Sequence, residues 1–203
     1  MVTIIDSGMG NIQSVVNAFE AIGCPVTRAD NPEKLKGAKK IVLPGVGAFG
    51  EGIRALREKG FEKVLNDLVI GGKIPFLGIC LGMQLLATTG QEHGSYKGLN
   101  WIPGKVIRFD FSNRSFYIPH VGWNDIEIKK ESALFPSKDY SPDFYFVHSY
   151  HFVSESDEFA TSWCNYGIQF AASVQKGNIF GIQFHPEKSH KEGLDLLQRF
   201  ADL

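Results

Sequence analysis

Val2-Thr3-Ile4-Ile5-Asp6, a polar break, then Asn11-Ile12-Gln13-Ser14-Val15-Val16-Asn17-Ala18-Phe19-Glu20-Ala21-Ile22 is the stretch that decides the fold class. The first segment is short, apolar and β-rich. The second sets Ile12, Val15, Val16, Phe19 and Ile22 on one face at three- and four-residue spacing, the signature of an amphipathic helix. Strand-like runs recur at Pro25–Arg28, Lys40–Leu43 and Pro75–Ile79. Helical patterns fall between the last two, at Phe49–Arg57 and Phe61–Ile70, the second ended by Gly71-Gly72. Strands alternating with helices predict an α/β fold with a parallel sheet and crossover helices.

Beyond about residue 98 the pattern changes. Lys105–Phe109, Asn124–Ile128, Phe144–His148, Phe159–Cys164, Phe170–Gln175 and Ile179–Phe184 follow one another as strands, with Lys176-Gly177-Asn178 as a turn. Leu194, Leu197 and Phe200 mark a closing helix. No repeat or linker divides the chain, so one domain over residues 1–203 is expected, the strand-rich half forming the other side of one mixed sheet.

Composition narrows the function classes. Lys plus Arg number 21 against 22 for Asp plus Glu, so no charge bias favours a nucleic acid partner. Three distant cysteines, Cys24, Cys80 and Cys164, speak against a disulfide scaffold and for a reducing compartment. No apolar stretch is long enough to cross a bilayer, and the N-terminal run lacks the basic flank of a signal peptide. A cytoplasmic protein with no membrane partner is expected.

The sharpest chemical signal is Gly78-Ile79-Cys80-Leu81-Gly82, set between the strand Pro75–Ile79 and a helical Met83-Gln84-Leu85-Leu86. It is the nucleophile-elbow pattern with sulfur in place of oxygen. The glycines have a steric reason, since a tight strand-to-helix turn leaves no room for side chains on either flank. A helix starting at Cys80 would favour thiolate, and the Leu81 amide would be free to meet an oxyanion. Taken alone the pattern reads equally as a structural cysteine between packing glycines. A nucleophilic cysteine needs a base. Of the six histidines His185 stands out, at the tip of the strand Ile179–Phe184 and before Pro186, which biases it to extended backbone. Glu187 is placed to orient the imidazole. The order Cys, His, Glu differs from that of an α/β-hydrolase, whose acid precedes its histidine.

A second glycine pattern, Gly45-Val46-Gly47-Ala48-Phe49-Gly50, follows a strand and matches a dinucleotide fingerprint in form. Pro44 interrupts the turn, however, and Asp67, the nearest later acid of interest, falls inside a helical pattern. Backbone donors that approach a substrate closely are the better use of this loop.

With these segments in place, the chain resembles the class I (triad-type) glutamine amidotransferases. Their hallmarks stand here as Gly78-Ile79-Cys80-Leu81-Gly82-Met83-Gln84 and His185-Pro186-Glu187. Within that family it is most similar to the glutaminase subunits of imidazole glycerol phosphate synthases. The similarity is carried by Asp6-Ser7-Gly8-Met9-Gly10-Asn11, Pro44-Gly45-Val46-Gly47, Pro119-His120-Val121-Gly122-Trp123-Asn124, Tyr145-Phe146-Val147-His148-Ser149-Tyr150 and His185-Pro186-Glu187-Lys188-Ser189.

The resemblance implies a three-layer α/β sandwich of flavodoxin-like type around a mixed, mainly parallel sheet. It implies Cys80, His185 and Glu187 as catalytic triad, and Val46, Gly47 and Leu81 as oxyanion hole. Gly45, Gly47, Gln84, Ser149 and Tyr150 would bind L-glutamine. Asn11, Trp123, Tyr145 and Lys188 would face a synthase (cyclase) subunit in a heterodimer, although Trp123 and Tyr145 also read as core aromatics and Asn11 as a helix-start residue. No cofactor or metal is implied. Ser7 stands where the histidine-pathway proteins usually carry an aromatic residue. The run 174–180, with His190, is reminiscent of paralogues that feed a sugar amidotransferase in surface-polysaccharide synthesis, so that enzyme is the alternative recipient of ammonia. A free-standing cysteine hydrolase and a dinucleotide-binding module are the readings from other classes.

Overall fold

The computed structural model describes residues 1–10, 12–111, 116–137 and 139–203. Five parallel strands form its centre: β1 (Val2–Ile5), β2 (Val26–Ala29), β3 (Ile41–Gly45), β4 (Phe76–Cys80) and, from far along the chain, β14 (Ile179–Ile182). They lie in the order β2-β1-β3-β4-β14. Four of these strands, β1, β3, β4 and β14, are almost wholly apolar because both faces are covered, whereas the edge strand β2 carries the exposed Arg28. Val2, Ile4, Val42, Leu77 and Ile79 point to one side, where α1 (Ile12–Ala21) and α5 (His190–Asp202) bring Val15, Val16, Phe19, Leu196, Leu197 and Phe200. Ile5, Ile41, Leu43 and Phe76 point to the other, against Phe49, Ile53 and Leu56 of α2 (Phe49–Glu58) and Phe61 and Leu65 of α3 (Phe61–Leu65). The result is the expected three-layer arrangement, with a period of two in the strands matched to helical stripes on each side.

The strand-rich half divides rather than forming one continuous flank. β13 (Ile168–Lys176), β12 (Ala160–Tyr166) and the short β9 (Glu127–Ile128) extend the main sheet antiparallel beyond β14, giving eight strands. A separate four-stranded sheet is built from β5 (Thr89–Gly90), β6 (Tyr96–Lys97), β7 (Gly104–Arg108) and β11 (Tyr150–Ser154). The remaining pair is β8 (His120–Asp125) with β10 (Asp143–His148). The predicted strand Asn124–Ile128 breaks for the same reason. Asp125 pairs with Asp143 of β10, Ile126 donates its N–H to the Pro142 carbonyl, and Glu127 pairs with Trp163 of β12, so the chain changes sheets at the fully buried Ile126.

Two helices are shorter than their patterns. The pattern 61–70 widens into a π-helical turn over Asn66–Gly71, where the Asn178 side chain donates to the Val69 carbonyl and Asn66 accepts from the Trp101 indole. α4 (Leu81–Gln84) is a single turn. It ends because the next carbonyls are captured from outside: Leu85 O by the Leu99 amide, Leu86 O by those of Trp101 and Ile102. With one turn behind Cys80, the thiolate gains local amides rather than a long helix dipole.

Candidate active site

β4 and β14 are hydrogen-bonded neighbours, with Ile79 opposite Ile182, so the residues that follow each strand leave the sheet side by side. On β4 this delivers Cys80 at φ 53° and ψ −108°, a conformation that costs about 1–3 kcal/mol for a residue with a side chain. The flanking glycines are required sterically. A Cβ on Gly78 would come within 2.5 Å of the Gly82 carbonyl oxygen, and one on Gly82 within 1.9 Å of the Leu43 oxygen. As first residue of α4, Leu81 has an amide with no intrahelical acceptor.

On β14 the chain delivers His185, extended at φ −101° and ψ 96° ahead of Pro186. Its Nδ1 lies 2.7 Å from Glu187 Oε1, and both side chains are almost wholly buried. A carboxylate only accepts, so Nδ1 carries a hydrogen and Nε2 is left toward Cys80. Nε2 has no closed hydrogen bond, but Cys80 acts on it electrostatically. Burial alone would lower the His185 pKa; interaction with Cys80 and Glu187 outweighs it and lifts the imidazole to about 10. The base is therefore held as imidazolium beside the sulfur. Ser189 fixes the segment, since its hydroxyl accepts from the Tyr145 amide and donates to the His185 carbonyl at 2.6 Å.

Cys80 opens into a cleft of about 630 Å³. Val46, Gly47, Leu81, Gln84, Ser149 and Tyr150, expected at the substrate, line it, and so does Lys188, expected to face a partner. Gly45 does not. It borders a small crevice with His185 and Glu187, and its lack of a side chain makes room for Leu81, whose Cβ would stand 3.2 Å from a Gly45 Cβ. Gly47 has φ +104°, the left-handed side that favours glycine, and the Val46 amide donates to the Met9 carbonyl at 3.3 Å. Ser7, the departure noted above, is buried.

Sequence reasoning missed several cleft residues. Glu92 accepts the Phe49 N–H at 2.8 Å, capping α2, whose N-cap residue Ala48 offers no side-chain bond. This carboxylate occupies the position a dinucleotide phosphate would need, so the glycine-rich loop is not a phosphate cradle. Nothing in Gln91-Glu92-His93 signals the role, because it arises from a loop folding onto a helix 43 residues away in sequence. His148 belongs to an expected strand and to a segment that carries the family resemblance, but neither gives its side chain a role. Burial lowers it to about 3, and its neighbours His120 and His151 to about 4, so all three are neutral.

Of the expected partner-facing residues, Asn11 lies outside the described residues. Trp123 is 47% exposed, meets Tyr145 edge-on at 6.2 Å and stacks on His190 at 5.0 Å. Lys188 Nζ lies 5.6 Å above the Tyr145 ring. These three form one surface patch, and the core-aromatic alternative does not apply to Trp123.

The Glutamine amidotransferase class-I family matches the chain over residues 3–202. Among curated proteins, the chain is 47% identical over 203 residues to "Imidazole glycerol phosphate synthase subunit HisH 1" of Campylobacter jejuni, covering all of both. It is 43% identical to "Imidazole glycerol phosphate synthase subunit HisH" of Moorella thermoacetica, covering all of this chain and 94% of that one. Among solved structures, "Crystal structure of glutamine amidotransferase" superposes with a TM-score of 0.76 at 20% identity over 100% and 99% of the two chains. "Structure of PurLQS from Thermotoga maritima" does so at 0.77 and 20% identity over 99% and 97%.

Proposed function

Since this chain belongs to the class-I glutamine amidotransferase family, we propose that all of residues 1–203 works as one such domain, the glutaminase subunit of imidazole glycerol phosphate synthase. Its ammonia goes to a synthase subunit in a cytoplasmic heterodimer that makes imidazole glycerol phosphate and AICAR for histidine biosynthesis. The observation that carries the chemistry is Cys80 on its strained turn beside the buried His185–Glu187 pair, at the base of a cleft. Full-length likeness to synthase subunits supports the choice of recipient.

The Cys80 thiolate attacks the side-chain carbonyl carbon of L-glutamine, and the oxyanion is met by the Leu81 amide together with Val46 or Gly47. His185 passes its Nε2 proton to the departing nitrogen, the C–N bond breaks, and ammonia and a γ-glutamyl thioester result. Water then attacks the thioester while His185 takes back a proton. Collapse releases glutamate and restores the thiolate. Glu187 holds the imidazole in the required orientation throughout. Gly47, Gln84, Ser149 and Tyr150 hold the substrate, with Gly45 supporting the loop from behind. The Glu92 carboxylate and the Lys188 ammonium bring to the cleft the two charges that a zwitterionic amino acid needs.

The direct test is Cys80→Ser in the complex. Glutamine-dependent product formation is expected to vanish while ammonia-dependent synthesis persists. Glutamine use near the wild-type rate would end the assignment of Cys80. Assaying the chain with a sugar amidotransferase beside the imidazole glycerol phosphate synthase partner decides the recipient.

A further inference from the structure

Gln183 is wholly buried two residues before His185, and the mechanism above does not use it. Its Nε2 lies 3.6 Å from Cys80 Sγ, within range for an N–H donor to sulfur. Its Oε1 accepts from Gln84 Nε2 at 3.0 Å, and that same Gln84 nitrogen lies 3.0 Å from the Tyr150 carbonyl.

The direction of these bonds follows from chemistry. A backbone carbonyl can only accept, so the Gln84 atom facing Tyr150 must be the amide nitrogen. The nitrogen's second hydrogen then points at Gln183, which must present oxygen there. The NH₂ end of Gln183 is thereby turned toward the sulfur. The Tyr150 carbonyl is itself anchored, since neutral His148 donates Nδ1–H to it at 2.9 Å. The Nε2 of His148 then accepts from His120 Nδ1 at 3.1 Å.

We propose that Gln183 is a further catalytic residue, whose side-chain N–H donates to the Cys80 thiolate and fixes the direction from which the sulfur attacks. This rests on the reading of Cys80 as nucleophile. His185 serves the sulfur as proton carrier and Gln183 as a donor that never gives its proton away, so sulfur stays oriented while the imidazolium proton is on the leaving nitrogen. Gln84 becomes a positioning residue for the nucleophile, which leaves its Oε1 as the polar atom for substrate.

The titratable and charged groups facing this region are His185 and Glu187 after β14, His148 at the end of β10 with His120 behind it, and Glu92, His93 and Lys188 across the cleft. Neither substitution replaces any of these groups, and Gln183→Glu adds one carboxylate beside the sulfur. Two variants test the donor: Gln183→Met removes it, and Gln183→Glu keeps the Gln84 contact but turns an oxygen on the sulfur. The readouts are the pH profile of Cys80 carbamidomethylation by peptide mapping, and kcat and KM for glutamine in the complex with the synthase. Cys24 and Cys164, which do not line the cleft that Cys80 opens into, serve as internal controls.

A hydrogen bond to a charged group is worth roughly tenfold or more. Gln183→Met is therefore expected to slow labelling at pH 7 about tenfold, to move its midpoint up about one pH unit, and to lower kcat similarly with little change in KM. Gln183→Glu should lose at least as much. A lower melting temperature with profile and kcat unmoved would overturn the proposal and make Gln183 a packing residue. Should neither variant fold, the ¹⁵N-labelled wild-type chain decides: the Gln183 side-chain amide signals shift when Cys80 is alkylated, and unmoved signals overturn the proposal. Cys80→Ser run alongside separates the two failures. An active Cys80→Ser defeats the nucleophile and this inference together, whereas an inactive one with Gln183→Met unaffected defeats only the inference.

Discussion

The amide of Val46 is committed to the Met9 carbonyl at 3.3 Å, which bears directly on how fast the isolated chain can work. An amide that donates to a carbonyl is not available to a developing oxyanion, and losing one such donor typically costs about 10²–10³ in turnover. Freeing it means breaking that hydrogen bond and turning the Val46–Gly47 peptide, which contacts made by a partner can drive, since Val46 is 46% exposed and Gly47 tolerates peptide rotation. The isolated chain is therefore expected to hydrolyse glutamine at least about 10²-fold more slowly than the complex with its synthase and the synthase ligand. Gly47→Pro should abolish most of the stimulation, because it deletes an amide and forbids the φ of +104°, while partner binding stays measurable. Steady-state glutaminase turnover of the chain alone and in complex is the assay. Equal turnover in the two states would refute the gate and favour a free-standing hydrolase.

Three further outcomes are expected. His185→Asn costs about 10²–10⁴ in glutaminase rate and Glu187→Gln less, since the base is lost in the first and only its orientation weakened in the second; the reverse order in kcat would remove the roles assigned to them. Gly82→Ala lowers stability by about 3 kcal/mol or more in denaturant unfolding, because the new Cβ would lie 1.9 Å from Leu43 oxygen; a wild-type midpoint would contradict the packing. His120, His148 and His151 are held at about 4, 3 and 4 against 6.5 when unfolded, so the unfolded chain binds more protons below neutrality. Their contribution is present above about pH 6.5 and lost as pH falls toward 4, up to about 1.4 kcal/mol per histidine per pH unit. Melting temperatures between pH 7 and 5 check this, and a flat profile would show that the three are not buried neutral.

Much of this was legible in the sequence. Strand and helix periodicity located the parallel core because its inner strands are buried on both sides and read as near-continuous apolar runs. Cys80 and His185 announced themselves through glycine and proline, whose local backbone demands are readable one residue at a time. What escaped is what depends on distant partners. The break at Ile126 is set by a choice between β10 and β12, neither of them nearby in sequence. The single turn of α4 follows from amides of Leu99, Trp101 and Ile102 taking its carbonyls. Glu92 and Gln183 are ordinary polar residues until the fold brings Phe49 to one and Cys80 to the other. Gly45 misled in a smaller way, its small size serving Leu81 rather than the cleft.

The strand that carries His185 is the last of the chain, yet it lies between β4 and β13 in the middle of the main sheet. A growing polypeptide that has already made β4 cannot close the sheet until residues 179–182 appear, so the nucleophile exists well before its base does. Until then β4 presents an open, apolar edge, the kind of surface on which nascent chains associate wrongly. Premature hydrolysis by a half-made chain is excluded by the same topology, and a fragment cut short before β14 is expected to be both inert and prone to clump. Competence and solubility therefore arrive together, with β14.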